Sequence, residues 1–175
     1  MQSQAERECR IGTVFTHLDH VGIAVLDLDE ALAFYAETFD LRCVHEEVNE
    51  EQGVREAMLA IGDSGTCIQL LAPLHPDSAI GKFLERSGPG IQQIAYRVTD
   101  IDSACTTLRE RGLRLLYDSP KRGTANSRVN FIHPKDAGGV LVELVEPAPD
   151  HPTQGTPATL GAGRSPAPVL TWVRS

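Results

Sequence analysis

The segment at residues 19–31, DHVGIAVLDLDEA, decides how the chain is read, because its pattern returns at 92–104 as QQIAYRVTDIDSA. Val25 stands against Val98, Asp27 against Asp100, Asp29 against Asp102 and Ala31 against Ala104, a constant offset of 73 residues. Each copy opens as an extended apolar run, reaches an Asp placed to cap a helix, and continues with apolar residues at helical spacing. These are Leu28, Ala31, Leu32, Tyr35 and Phe39 in the first copy, and Ile101, Ala104, Cys105 and Leu108 in the second. Glu30, placed after Asp27 in the first helical turn, matches the spacing of a capping box.

The correspondence continues downstream. IQLLAP from Ile68 matches VELVEP from Val142, with Leu70 on Leu144 and Pro73 on Pro147. Between helix and final strand each copy holds two more extended segments: LRCVHEEV and REAMLAIG in the first, LRLLYD and SRVNFIHP in the second. The unit is therefore βαβββ, present twice. A unit of this kind buries one face of its sheet only by sharing it, so the expected fold is α+β: two tandem βαβββ units forming a curved mixed sheet around a central cleft, helices outside. The domain is expected over residues 16–147, with repeat 1 at about 16–86 and repeat 2 at about 88–147. Residues 1–15 read as a flexible lead. Residues 148–175, APDHPTQGTPATLGAGRSPAPVLTWVRS, read as a Pro/Gly-rich flexible tail.

Composition narrows the function. Of 175 residues, 41% are hydrophobic and 23% charged, which is globular usage. A formal net charge of −8 argues against nucleic acid or an anionic membrane as the main partner, since phosphate surfaces call for clustered Lys and Arg. No apolar run has the length of a bilayer span and MQSQAERECR lacks the apolar core of a secretory signal, so a cytoplasmic location is expected. Cys9, Cys43, Cys67 and Cys105 lie far apart without a CxxC pair and read as reduced thiols.

The repeat also locates candidate chemistry. Polar residues interrupt the apolar strands at equivalent places: His20 and Gln93 on the first strands, Gln69 and Glu143 on the last. If the first and last strands of each unit lie side by side, these four side chains meet in the cleft. One imidazole, two amide oxygens and one carboxylate make a plausible divalent-metal site. Gln92, the neighbour of Gln93, is expected on the opposite face by strand alternation and is read as structural.

LDHVGIAV, VNEEQGVREAML, IQLLAP and FIHPKDAGGVLVELVEP together resemble the vicinal oxygen chelate superfamily, and within it the methylmalonyl-CoA epimerase family. The resemblance spans roughly residues 16–147. It implies an enzyme that interconverts (2R)- and (2S)-methylmalonyl-CoA through an enolate stabilised by a divalent metal. It places the metal ligands at His20, Gln69, Gln93 and Glu143, and catalytic glutamates at Glu56 and Glu143. Glu56 is singled out from the acidic run EEVNEEQGVRE by family position alone. The family motif usually shows two consecutive histidines where this chain has Gln92 and Gln93. An amide oxygen is a weaker and harder donor than imidazole, so Co or Mn is favoured, with Zn, Mg or Ni as alternatives. An acyl-CoA partner needs cations for its phosphates, and the densest basic stretch, PKRGTANSR, offers Lys121, Arg122 and Arg128. A homodimer is expected from the resemblance. A non-catalytic small-molecule-binding protein of the same fold, which the glutamine pair favours, or an epimerase of a related acyl-CoA, stands as the alternative.

Overall fold

The structure is a computed structural model and describes residues 13–149. The expected lead at 1–15 falls mostly, and the tail at 148–175 almost wholly, outside the described residues.

The first unit runs β1 (His17–Ala24), α1 (Leu28–Phe39), β2 (Arg42–Asn49), β3 (Val54–Ala60) and β4 (Cys67–Pro73). A helix that repeat analysis did not supply, α2 (Ala79–Ser87), joins it to the second unit. That unit runs β5 (Gly90–Arg97), α3 (Ile101–Glu110), β6 (Lys121–Arg122), β7 (Arg128–Ile132) and β8 (Val142–Glu146). The aspartates cap their helices as the spacing predicts: Asp27 accepts from the Glu30 amide at 3.0 Å and Asp100 from the Ser103 amide at 2.8 Å. The strand expected at LRLLYD is largely absent. Leu115 makes only an isolated bridge to Ile132, and the edge strand forms later as the two-residue β6.

All eight strands form one sheet in the order β2-β3-β4-β1-β5-β8-β7-β6. The first and last strands of each unit pair in parallel, β1 with β4 and β5 with β8, and the units join where β1 and β5 run antiparallel. This is the arrangement on which the predicted convergence depends. Alternation then sorts the side chains. Ala57, Leu59, Leu70 and Ala72 pack beneath α1 with Leu28, while Ile132 and Leu144 pack with Ile101, Cys105 and Leu108 of α3. Inner-facing Ala24, Val54 and Leu71 are covered by Ile80 of α2, and Ala95, Val129, Phe131 and Val145 fill the second half.

A strap ties the two edges of the sheet together. After β6 the chain crosses toward β2, where the Ala125 amide donates to Glu47 Oε2 at 3.0 Å and the Arg122 carbonyl accepts from Gln52 at 3.5 Å. Ala125 (φ 53°) and Asn126 (φ 59°) both take the left-handed conformation. That conformation costs Ala about 1–2 kcal/mol, which the charge-assisted bond to Glu47 offsets.

Candidate active site

β1, β4, β5 and β8 each turn one polar side chain inward, and His20, Gln69, Gln93 and Glu143 are all buried. They meet at one atom. Gln93 Nε2 donates to Glu143 Oε2 at 2.5 Å and to Gln69 Oε1 at 3.2 Å, and lies 3.4 Å from His20 Nε2. Gly22 makes room for this: a Cβ there would stand 2.6 Å from Gln93 Cγ.

His20 is held from both sides. Its Nδ1 lies 2.9 Å from Asp19 Oδ1 and its Nε2 3.1 Å from Glu143 Oε2. Asp19 in turn accepts from Arg97 Nε at 2.7 Å. Burial alone would drive the imidazole toward neutrality, but its hydrogen bonds to Asp19 and Glu143, and their charges, overcome it and raise the ring to about 9. With only these protein groups present, the imidazolium donates to a carboxylate at each nitrogen.

Glu56 of β3, which sequence pattern alone did not distinguish from its acidic neighbours, is buried at the same cluster. Its Oε2 accepts from Gln69 Nε2 and its Oε1 from Thr124 Oγ1, each at 2.9 Å. Gln69 Nε2 also reaches Thr124 Oγ1 at 2.9 Å. Burial pushes the Glu56 carboxyl up, the Thr124 bond holds it back, the charges of Glu47 and Glu143 add to the rise, and it settles at about 7. A carboxyl in that range accepts and returns protons near neutral pH.

Thr124, Asp19 and Arg97 are site residues that sequence reasoning did not find. Thr124 arrives from the strap and Arg97 from across the β1–β5 ladder, so no local spacing announces them. Gln92 needs a correction. The register pairs Gly22 with Gln93 but Ile23 with Ile91, which leaves Gln92 as the extra residue of a β-bulge. The bulge breaks strict alternation, and Gln92 lines the same chamber as Gln93 instead of lying on the opposite face.

The basic residues part company. Arg122 bonds Asn126 Oδ1 at 2.8 Å and lies 3.7 Å from Glu47, while Lys121 is exposed beside it on β6. Arg128 is engaged by Asp102 of α3 at 2.8 Å and by Glu146 at 3.5 Å. Cys43, Cys67 and Cys105 are free thiols.

Two cavities meet at Glu143 and Thr124. The larger, about 670 Å³, is lined by Asp19, His20, His45 and Arg97; the smaller, about 120 Å³, by Glu56, Gln69, Gln92 and Gln93. Among the described residues no three His, Cys, Asp or Glu side chains cluster as a metal site, because two of the four converging donors are amides. The donor set nevertheless fits a cation. Two oxygen acceptors, on Gln69 and Glu143, aim at the Gln93 NH₂ group with His20 Nε2 3.4 Å away, and a half-turn of the Gln93 amide together with loss of the His20 Nε2 proton would turn four lone pairs toward one point. Asp19 on the far ring nitrogen of His20 is the outer partner expected of a ligating imidazole.

Residues 19–131 match the model of the Glyoxalase/Bleomycin resistance protein/Dioxygenase superfamily. The chain is 38% identical over 128 residues to the mitochondrial methylmalonyl-CoA epimerase of Homo sapiens, covering 73% of this chain and 72% of that one. The crystal structure of methylmalonyl-CoA epimerase from Mycobacterium tuberculosis superposes with a TM-score of 0.77 at 58% identity, over 82% of this chain and 96% of that one. A methylmalonyl-CoA epimerase in complex with methylmalonyl-CoA and NH4+ superposes with a TM-score of 0.75 at 46% identity, over 81% and 99%. Among the described residues no helix is long and apolar enough to cross a membrane.

Proposed function

The chain belongs to the methylmalonyl-CoA epimerase family of the glyoxalase superfamily, and from that premise we propose that it interconverts (2R)- and (2S)-methylmalonyl-CoA, one carboxylate taking the α-proton from one face and a second carboxyl giving a proton to the other. One observation carries the mechanism. Glu56 and Glu143 stand at opposite ends of a two-amide bridge, Glu56–Gln69–Gln93–Glu143, in a cluster buried from solvent.

Epimerisation removes a proton from one face of the α-carbon and returns one to the other, so it needs two proton-handling groups and a way to keep water from competing. Glu56, raised to about 7, is matched to that exchange. Thr124 and Gln69 each hold one of its oxygens, which fixes the carboxylate plane toward the cleft. Glu143 serves the other face. Asp19 orients His20, and Arg97 keeps Asp19 charged in a buried setting.

A divalent cation, Co or Mn by preference, would be held by His20, Gln69, Glu143 and the turned Gln93 amide, and when bound it supplies Lewis-acid stabilisation to negative charge on the thioester oxygen. We assign the acyl-CoA phosphates to Lys121 and Arg122. Arg128, already paired with Asp102 and Glu146, is the weakest of the three assignments.

Release of tritium to water from [2-³H]methylmalonyl-CoA tests this reading. Release that requires the folded protein and falls at least about a hundredfold in Glu56→Gln from the epimer that Glu56 deprotonates supports it; no release by the folded protein under any divalent-metal condition overturns it.

A further inference from the structure

Among the described residues Gln92 carries the one side-chain amide oxygen that is buried without a partner. Its Oε1 is buried and accepts no hydrogen bond, whereas Gln69 is bonded through both its oxygen and its nitrogen and Gln93 through its nitrogen to Gln69 and Glu143. A buried acceptor left empty costs about 1–3 kcal/mol. Such a group in a native site calls for a donor that arrives from outside. The β-bulge at Gln92 places it where that donor must come, in the small chamber beside Gln93, Glu56 and Glu143.

The rest of the chamber describes the visitor. Its apolar walls come from Leu71, Ile80, Leu116, Tyr117 and Leu141. About 120 Å³ holds on the order of four water volumes, enough for a narrow chain of methylenes and one amide but not for a ring system. Gln52 and Gly123 line the same chamber, and Gly123 follows Lys121 and Arg122 in the chain. The chamber therefore runs from the two glutamates toward the segment that carries Lys121 and Arg122.

We propose that the Gln92 side-chain carbonyl accepts the first amide N–H of the pantetheine arm, so that the acyl-CoA threads its thioester through the small chamber to the glutamates; this rests on the epimerase reading above. An ethylene spacer is all that separates the thioester sulfur from that N–H. A thioester held beside Gln93 brings the amide to its sequence neighbour. The other donors of coenzyme A lie farther along the arm.

The test isolates one hydrogen. Methylmalonyl thioesters of N-acetylcysteamine and of 2-acetoxyethanethiol differ only in having N–H or O at the position facing Gln92. The unmodified protein should prefer the amide substrate in kcat/KM by roughly five- to tenfold, the worth of one neutral hydrogen bond. In Gln92→Met, and independently in Gln92→Leu, that preference should vanish through loss on the amide substrate alone. Melting temperature should stay near that of the unmodified protein, because Gln92 Oε1 has no bond to lose. No preference in the unmodified protein, or equal losses on both substrates in the variants, overturns the contact while leaving the epimerase reading intact. A folded protein inert with methylmalonyl-CoA itself overturns both.

Discussion

Replacing Gly22 by Ala should disable the site from the neighbouring strand by displacing Gln93. Gly22 pairs with Gln93 across the β1–β5 ladder, and the Gln93 side chain lies over it. An added Cβ would stand 2.6 Å from Gln93 Cγ, 3.2 Å from Cδ and 3.3 Å from Nε2. The first of these is closer than carbon atoms tolerate, and Cγ is too near the backbone to escape by a terminal rotation. Gln93 must swing out and abandon its bonds to Glu143 and Gln69. One charge-assisted and one neutral hydrogen bond lost from a buried cluster amount to about 2–4 kcal/mol. Urea denaturation should show that loss as a lower midpoint with an unchanged slope. Gly90→Ala, at the start of β5 with nothing within 4 Å of the new carbon, should stay within about 0.5 kcal/mol of the parent. In Gly22→Ala/Gln93→Ala the clash has no partner, so the double variant should be no less stable than Gln93→Ala alone. The reasoning is refuted if Gly22→Ala denatures like the parent, or if its loss simply adds to that of Gln93→Ala.

Glu56→Gln should lower kcat by at least about a hundredfold, the usual contribution of a positioned general base. In chelator-treated protein it should also stabilise above neutrality. Glu56 is raised from 4.5 to about 7 by folding, so the parent carries an ionisation penalty that is absent below pH 4.5 and complete above pH 7. Removing it should gain on the order of 2–3 kcal/mol at pH 8 and little at pH 4.5, read as urea midpoints. Gln93→His should tighten Co²⁺ or Zn²⁺ binding at least about tenfold in titration calorimetry, because imidazole is the stronger donor to both; unchanged affinity would remove Gln93 from the ligand set. Thr124→Val should raise KM or lower kcat several-fold and, for the epimer that Glu56 deprotonates, shift the acidic limb of the pH–rate profile upward, since the hydroxyl bond is what holds the Glu56 carboxyl down.

The parts of the fold that were legible in the sequence are those the duplication repeats. Two copies of strand, capped helix and polar interruption suffice to place His20, Gln69, Gln93 and Glu143 on adjacent central strands, and the observed order brings them together. What lies outside the repeat was not found by it. Helix α2 falls between the copies, although Ser78 caps it and Ile80, Phe83 and Leu84 keep helical spacing. Gln92 was placed on the wrong face because a bulge is a matter of register between strands, and register leaves no mark in one strand's own sequence. LRLLYD has the apolar content of a strand, but only Leu115 meets a bridging partner there. Thr124 and Arg97 belong to the site through contacts across 55 and 78 residues of chain, distances at which pattern carries no information.

The measurement closest to the central claim is α-proton exchange of each methylmalonyl-CoA epimer in deuterated solvent, followed by proton NMR, for the parent and for Glu56→Gln with Co²⁺ present and after chelation. The account predicts that the parent exchanges and inverts both epimers, and that Glu56→Gln loses exchange from one epimer by at least about a hundredfold while retaining it from the epimer that Glu143 serves. A folded parent that exchanges neither epimer, or a Glu56→Gln variant that exchanges both at the parental rate, would contradict it.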